Sequence, residues 1–476
     1  MCRDESPIKC YCIIPNASQT SVLVRRVQEG YECPYIRLPW LRLNFFPDHV
    51  PHIRQELRRE TRLDMTVLRH LQDWDDVQVC LMEIQSVVGS LPDSYLWLDE
   101  DVDLEWADEQ SSQAWRTWKS VSQAGDNSST VAPWERSGWF GDAKLWMQAH
   151  LHEAGYELKG PVEQFKGAWG WSSILKAETD KGAVYLKADY DRPPKEVAVI
   201  LKLAERWPQN VPHIMAASVE RSWMLMSDFG GASLEPLETS HYRNALSLFA
   251  QIQRSTAPDI HDWERLGCPD MTPSNILRMT GLLIADTAIL CDGKDGLCRE
   301  ELTELELKVP QIEKMLTQLA SSALPDTICN EDFRAGNVVV GEGKYIFYDW
   351  GGTVISHPMF GINYFLNRMI RHESEDGFRW GNDLEDERRR ELMSAFLSQW
   401  TDYASWDQLL SEFWLCRRLY HLYEAVKCYC DLPFVGTTSP WGAGSLAYIP
   451  QALRKLIAAL DYQPITGAGS FCQPND

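Results

Sequence analysis

The sequence lacks any apolar run that approaches the roughly 20 residues needed to cross a bilayer. Its first residues, MCRDESPIKCYCIIP, lack the apolar core that heads a secreted chain. Neither a membrane span nor export is expected. Positive charge is scarce: 46 Lys and Arg stand against 68 Asp and Glu, a formal net charge of −22. Such a chain is not expected to bind nucleic acid or an acidic membrane surface, whereas a cationic small molecule is tolerated. Cysteine is present but unpatterned, with 13 scattered residues. Without a secretory leader these read as reduced thiols, and a cytoplasmic location is expected. Cys-Tyr-Cys occurs at Cys10–Cys12 and again at Cys428–Cys430. In a strand such a pair shares a face and in a helix it diverges, so no metal site common to both pairs is expected. No internal repeat is evident, and the sequence leaves the oligomeric state open.

What is there suits a folded chain of two or three domains, since 476 residues exceed one core. The 20 tryptophans point to filled cores or aromatic-lined pockets. Residues 1–122 read as a small α/β domain. KCYCIIPN and SVLVRRV suggest a hairpin around ASQT. HVPHIRQELRRETRLDMTVLRHL has helical spacing that includes Leu57 and Leu63, and VQVCLMEIQSV reads as a strand. The acidic run from Leu98 reads as a solvated segment, and a linker is placed at 123–138 on its Ser, Gly, Asn and Pro. A helix, GDAKLWMQAHLHEAG, opens the next region. The strand-like runs GWSSILKAET and GAVYLKADY, the amphipathic PKEVAVILKLAERWP and the buried strand WMLMSDFGG follow, making a strand-rich lobe at 139–232. Helical patterns dominate 233–476.

The stretch TICNEDFRAGNVVVGEGKYIFYDWGG, Thr327–Gly352, interrupts them. Phosphoryl transfer needs positioned phosphates, Mg²⁺ and a carboxylate beside the attacking hydroxyl. Mg²⁺ takes hard oxygen ligands. Asp332 can orient and deprotonate a hydroxyl, the amide oxygen of Asn337 can hold a metal ion without adding charge, and Asp349 can bridge metal and phosphates. VVV and YIFY can pair as a hairpin that holds Asn337 and Asp349 together.

NEDFRAGN followed by YDWGG resembles the catalytic loop and metal-binding motif of the aminoglycoside phosphotransferase and choline kinase-like family. The resemblance covers residues 140–470 or so. It implies an α+β, two-lobed protein-kinase-like fold, with a small β-rich lobe and a larger helical lobe after the α/β domain. It also implies ATP and Mg²⁺ as cofactors and a small-molecule hydroxyl acceptor, often an amine. By the same resemblance, Lys187 in VYLKA holds phosphates and Glu196 in PKEVAVI pairs with it. Met226 and Asp228 in WMLMSDFGG lie in the hinge that receives adenine, Asp228 reading equally as a turn former. Arg334 matches a basic residue that neutralises the transferring phosphoryl. ISHPMFGINYFL resembles the segment after the metal-binding Asp.

Three positions depart from the family pattern. Asn330 stands where the family has His. GAWGWSSILK lacks the full glycine pattern of a phosphate-covering loop, although Gly170, Ser172 and Ser173 can still offer donors. Gly361 stands near where an acidic residue often follows His-Pro. Glu373, Glu375 and Asp376 can attract an amine or stay solvated, and FWLCRRLYHLYEAVKCYC reads as a core helix. A nucleotide-binding scaffold without catalysis is the alternative. In the first domain QELRRETRL loosely resembles the helix of Nudix hydrolases, with Glu56 and Glu60 on metal positions but Arg59 and Arg62 at a glutamate and a glycine position. A degenerate, noncatalytic Nudix-like domain, or an unrelated α/β domain, is expected.

Overall fold

The computed structural model describes residues 8–38, 49–74, 77–99, 105–124, 131–166, 172–190, 195–291, 295–373, 387–436 and 440–461. The chain divides into two compact units, residues 1–191 with 214–228 and residues 192–213 with 229–476. The architecture is α+β, as expected.

The first unit holds strands β1 (Ile8–Ile13), β2 (Ser21–Val27), β3 (Gly30–Glu32) and β4 (Tyr35–Leu38), then helix α1 (Val50–Thr61). Next come β5 (Leu63–Trp74), β6 (Val77–Val87), β7 (Tyr95–Asp99), α2 (Glu109–Ala124) and α3 (Trp139–Glu153). Strands β8 (Glu163–Lys166), β9 (Ser172–Thr179), β10 (Gly182–Asp189), β11 (Ile214–Ser218) and β12 (Trp223–Ser227) complete it. They form sheets ordered β4-β1-β6-β5, β3-β2-β7 and β11-β12-β10-β9-β8.

Three sequence expectations change here. The proposed hairpin closes at its turn, where Asn16 N–H donates to Ser21 O at 2.8 Å, but its strands then part into different sheets. Burial explains this. Cys10, Tyr11, Cys12 and Ile13 are all 0% exposed, so β1 is covered on both faces and lies between β4 and β6. The helix expected to run through Leu63 stops at Thr61, and β5 begins at Leu63. Arg62 turns the chain with φ 61°, its N–H bonded to Arg58 O. Leu63, Met65 and Val67 then pack in one core cluster and Leu68 in another, as the two faces of a strand do. Part of the expected solvated segment and linker is helix α2, whose Trp115 and Trp118 are buried with Tyr11 and Leu68. Residues 125–130 of the linker lie outside the described residues.

The two parts of this unit are tied by Gln164 on β8. Its Nε2 donates to Val67 O at 2.8 Å and its Oε1 accepts from Val67 N–H at 2.8 Å. Arg54 of α1 donates to Met65 O at 2.7 Å and to Gln164 O at 3.3 Å. The carboxylates of α1 are engaged: Glu56 pairs with Arg59, and Glu60 accepts from Tyr95 Oη at 3.1 Å. Arg62, at the glycine position of the loose Nudix resemblance, is the left-handed residue, a conformation glycine adopts without steric cost.

The second unit begins with α4 (Glu196–Ala204), β13 (Ala232–Ser233), α5 (Thr239–Thr256), α6 (Ile260–Arg265) and β14 (Asp270–Met271). Helices α7 (Pro273–Ala285), α8 (Thr287–Cys291) and α9 (Arg299–Ala320) lead to β15 (Thr327–Asn330), β16 (Val338–Gly341), β17 (Lys344–Phe347) and β18 (Thr353–Ser356). Helices α10 (Pro358–Glu373), α11 (Glu387–Leu397), α12 (Trp406–Val435) and α13 (Pro440–Asp461) close the unit. β16 and β17 pair antiparallel, Val338 opposite Phe347, around Glu342 and Gly343 with φ 50° and 76°. Positive φ at both turn residues matches the twist of a tight hairpin. β15 pairs antiparallel with β18, which brings Asn330 opposite Thr353. The apolar helical faces bury an aromatic core in which Phe249 stacks on Phe333 at 3.8 Å and Phe333 meets Phe365 at 4.7 Å.

Candidate active site

Asp332, Asn337 and Asp349 converge in the second unit because two local devices aim them. The first is an anchor. Phe333, next to Asp332, is 2% exposed and sits in the aromatic core, so the loop after β15 cannot swing away. The second is the β16–β17 hairpin, which returns the chain from Asn337 to Asp349. Tyr348 N–H donates to Asn337 O at 3.1 Å, and Tyr348 Oη bonds Gly336 O.

The Asp332 carboxylate meets several donors. Asn337 Nδ2 lies 2.8 Å from its Oδ2 and 2.9 Å from its backbone O. Arg334 Nε lies 3.3 Å from Oδ2, and Tyr364 Oη of α10 lies 3.5 Å from Oδ1. The Asp332 side chain keeps 37% of its surface exposed, enough to meet a substrate hydroxyl. The amide hydrogens of Asn337 serve Asp332, and no described residue donates to its Oδ1. A hard, neutral oxygen at that position suits Mg²⁺. Asp349 adopts φ 63°, ψ 60° at the end of the hairpin. Asp tolerates this left-handed region better than most residues, and such conformations concentrate at functional sites.

Asn330, at the family's histidine position, ties the two motifs together. Its Nδ2 donates to Asp349 O at 2.9 Å and its Oδ1 accepts from Asp332 N–H at 3.0 Å. Gly352 makes this possible by close approach: a Cβ there would lie 3.2 Å from Asn330 Oδ1 and 3.3 Å from Asp332 N. Gly361 likewise packs close, and Gln253 supplies a tether there, donating to Ile328 O at 3.2 Å. Glu196 is the first residue of α4, 1% exposed, and its Oε1 accepts from Trp350 N–H at 3.1 Å. This fastens the helix to the turn that bears Asp349.

Behind Asn330 a small cavity is bounded by Glu331, Phe360, Tyr364, Tyr420 and Tyr423. Burial raises the Glu331 carboxyl, and the neighbouring Lys427 ammonium, 3.2 Å away, opposes that rise. Lys427 also pairs with Asp431 at 2.6 Å. The aromatic stripe of α12 is mostly core, as expected, with Phe413 and Leu419 0% exposed.

The other sequence candidates lie in the first unit. Lys187 is on β10 opposite Met224, 8% exposed. Met226 is buried on β12 opposite Tyr185, and Asp228 N–H bonds Ala183 O at 3.1 Å. Ser172 and Ser173 begin β9 rather than lie in a loop, and Ser173 is 0% exposed. Gly170, Glu375 and Asp376 lie outside the described residues, as does the side chain of Glu373. Sequence reading missed Tyr364, the double role of Asn330 and the Glu196–Trp350 bond. Asn330 alone carried a signal, as a polar residue that replaces another polar hydrogen-bonding residue.

Residues 182–407 match the model of a family described as phosphotransferase enzymes. Among solved structures, a choline/ethanolamine kinase family protein from Mesorhizobium loti is 13% identical, with 67% of this chain and 98% of that one covered and a TM-score of 0.42. A Plasmodium vivax ethanolamine kinase is 9% identical, with 73% and 95% covered and a TM-score of 0.42. A spectinomycin phosphotransferase solved with ADP and spectinomycin is 13% identical, with 66% and 98% covered and a TM-score of 0.42. No curated protein matches the chain.

Proposed function

We propose that this chain, whose residues 182–407 match the phosphotransferase enzyme family model, transfers the γ-phosphoryl group of ATP to a hydroxyl of a small molecule. The observation that carries the reading is the Asp332 carboxylate, held by Asn337, Arg334 and Tyr364 and still open to solvent.

Asp332 orients the acceptor O–H and takes its proton as the oxygen attacks. Its Oδ2 is the better paired oxygen, which leaves Oδ1, beside Tyr364, for the acceptor. Asn337 and Asp349 are the residues that would hold Mg²⁺, which when bound neutralises phosphate charge. Arg334 adds a cation beside the same carboxylate. Lys187, Ser172, Ser173, Met226 and Asp228 are assigned to the nucleotide, and Glu196 steadies the Asp349 turn through Trp350. An amine-bearing alcohol suits the net charge of −22, which favours a cationic substrate.

The test has two arms. Saturating Mg·ATP should raise the melting temperature of the full chain by ligand linkage. A screen of hydroxylated amines for ATP-dependent phosphorylation should find an acceptor, and Asp332→Asn should lower its turnover roughly 10²-fold or more, while Mg·ATP stabilisation persists. Full turnover by Asp332→Asn would sink the assigned role of the loop. An unchanged melting temperature would remove the nucleotide.

A further inference from the structure

The two cysteines of β1 share a face with a third. Cys10 and Cys12 are two residues apart on the strand, so their side chains leave the same side of the sheet. β1 runs parallel to β6 with Cys12 opposite Cys80, and Met82 lies two residues further along that same face. Cys80 Sγ lies 3.6 Å from Cys10 Sγ, 3.6 Å from Cys12 Sγ and 3.6 Å from Met82 Sδ. The three cysteine sulfurs all fall within 4.8 Å of one another, and each residue is 0% exposed. Around them pack Val50, Ile53 and Leu57 of α1.

We propose that Cys10, Cys12 and Cys80, with Met82 as a fourth donor, hold one thiophilic d¹⁰ metal ion, Zn²⁺ or Cu⁺, as a structural centre of the first unit. Thiolate and thioether sulfur are the soft donors these ions select. Zn–S bonds of about 2.3 Å place tetrahedral sulfurs about 3.8 Å apart, close to the 3.6 Å that separates Cys80 Sγ from each of the other three sulfurs. Plain contact between packed thiols gives a similar spacing. What singles out this cluster is the convergence of four sulfurs from two adjacent strands on Cys80. Because the site has no exposed atom, the ion enters while the chain folds. Each cysteine that ligates as thiolate releases one proton to solvent. The ion should then resist chelators until the unit unfolds.

The full chain is expressed under reducing conditions in medium supplemented with Zn²⁺ or, separately, with copper, and metal per chain is counted by elemental analysis. About one equivalent of one of these ions is expected, retained in Cys33→Ser, whose cysteine is buried in a different cluster, and lost at least tenfold in Cys80→Ser. EDTA (for zinc) or bathocuproine (for copper) should extract it only across the urea unfolding transition. Should Cys80→Ser fail to fold, Met82→Leu keeps the volume and should speed release of the ion. Less than a tenth of an equivalent in the wild type from both media, including after refolding with each metal, would make the cluster ordinary packing and overturn the proposal. A full equivalent kept by Cys80→Ser would overturn it equally.

Discussion

Replacing Asn330 by alanine removes two hydrogen bonds that hold the Asp332 loop and the Asp349 turn in register. Asn330 is 3% exposed, so the Asp349 carbonyl at 2.9 Å and the Asp332 N–H at 3.0 Å would lose their partner with little water to replace it. An unpaired buried group costs about 1–3 kcal/mol, which puts the pair at roughly 2–4 kcal/mol, allowing for partial hydration of one group. In a unit of this size, that lowers the melting temperature by roughly 4–12 °C. The chemistry suffers separately. A displacement of about 1 Å between a catalytic group and the transferred phosphoryl can cost 10²-fold, so turnover should fall by roughly 10- to 100-fold. Asn330→Asp should be worse than alanine, because a carboxylate oxygen then faces the Asp349 carbonyl without a proton between them. The assay is calorimetric unfolding of the full chain together with kcat and KM for the acceptor found in the screen. If Asn330→Ala melts within 1–2 °C of the wild type and turns over within about twofold, the tie through Asn330 is not what holds the site.

Gln164→Ala strips both backbone bonds from Val67, with Gln164 4% exposed, and should cost about 2–4 kcal/mol in urea unfolding. It should also speed proteolysis within residues 1–124, and unchanged cleavage would refute the tie between the two parts of the first unit. Gly352→Ala places a Cβ 3.2 Å from Asn330 Oδ1 and should destabilise by about 1–3 kcal/mol, with reduced turnover. A variant as stable and active as the wild type would show that the turn has slack. Lys427→Met leaves Glu331, whose side chain is 8% exposed, without its cation and should cost about 3 kcal/mol at pH 7. Burial already raises the Glu331 carboxyl, so the folded state takes up a proton more readily than the unfolded one. The deficit of Lys427→Met relative to wild type should therefore shrink as pH falls through that raised value. Denaturation at pH 7 and pH 5.5 measures this, and a deficit that grows on acidification would refute the sign.

The residues themselves determined whatever depends on near neighbours. The spacing of Asp332, Asn337 and Asp349 was readable because one hairpin of a few residues a side connects them, and its glycine-bearing turn is a local signal. The strands β9, β10 and β12 and the helices α3 and α4 were readable because their apolar periods are local as well. Where local patterns compete, the tertiary structure chose. Leu63 continues the helical spacing of α1 and also begins the β-branched and apolar run of β5, and pairing with β6 decides for the strand. β1 has a turn that favours a hairpin with β2, yet burial of both its faces places it beside β6. The partners in contacts across long loops had no sequence signal. Asn330 meets Asp349 at a separation of 19 residues, Tyr364 meets Asp332 at 32, and Glu196 meets Trp350 at 154. Cys10 meets Cys80 at a separation of 70. A hydrogen bond or a sulfur contact is satisfied by any partner the fold delivers, so the residue type announces the need, and only the packed chain names the partner.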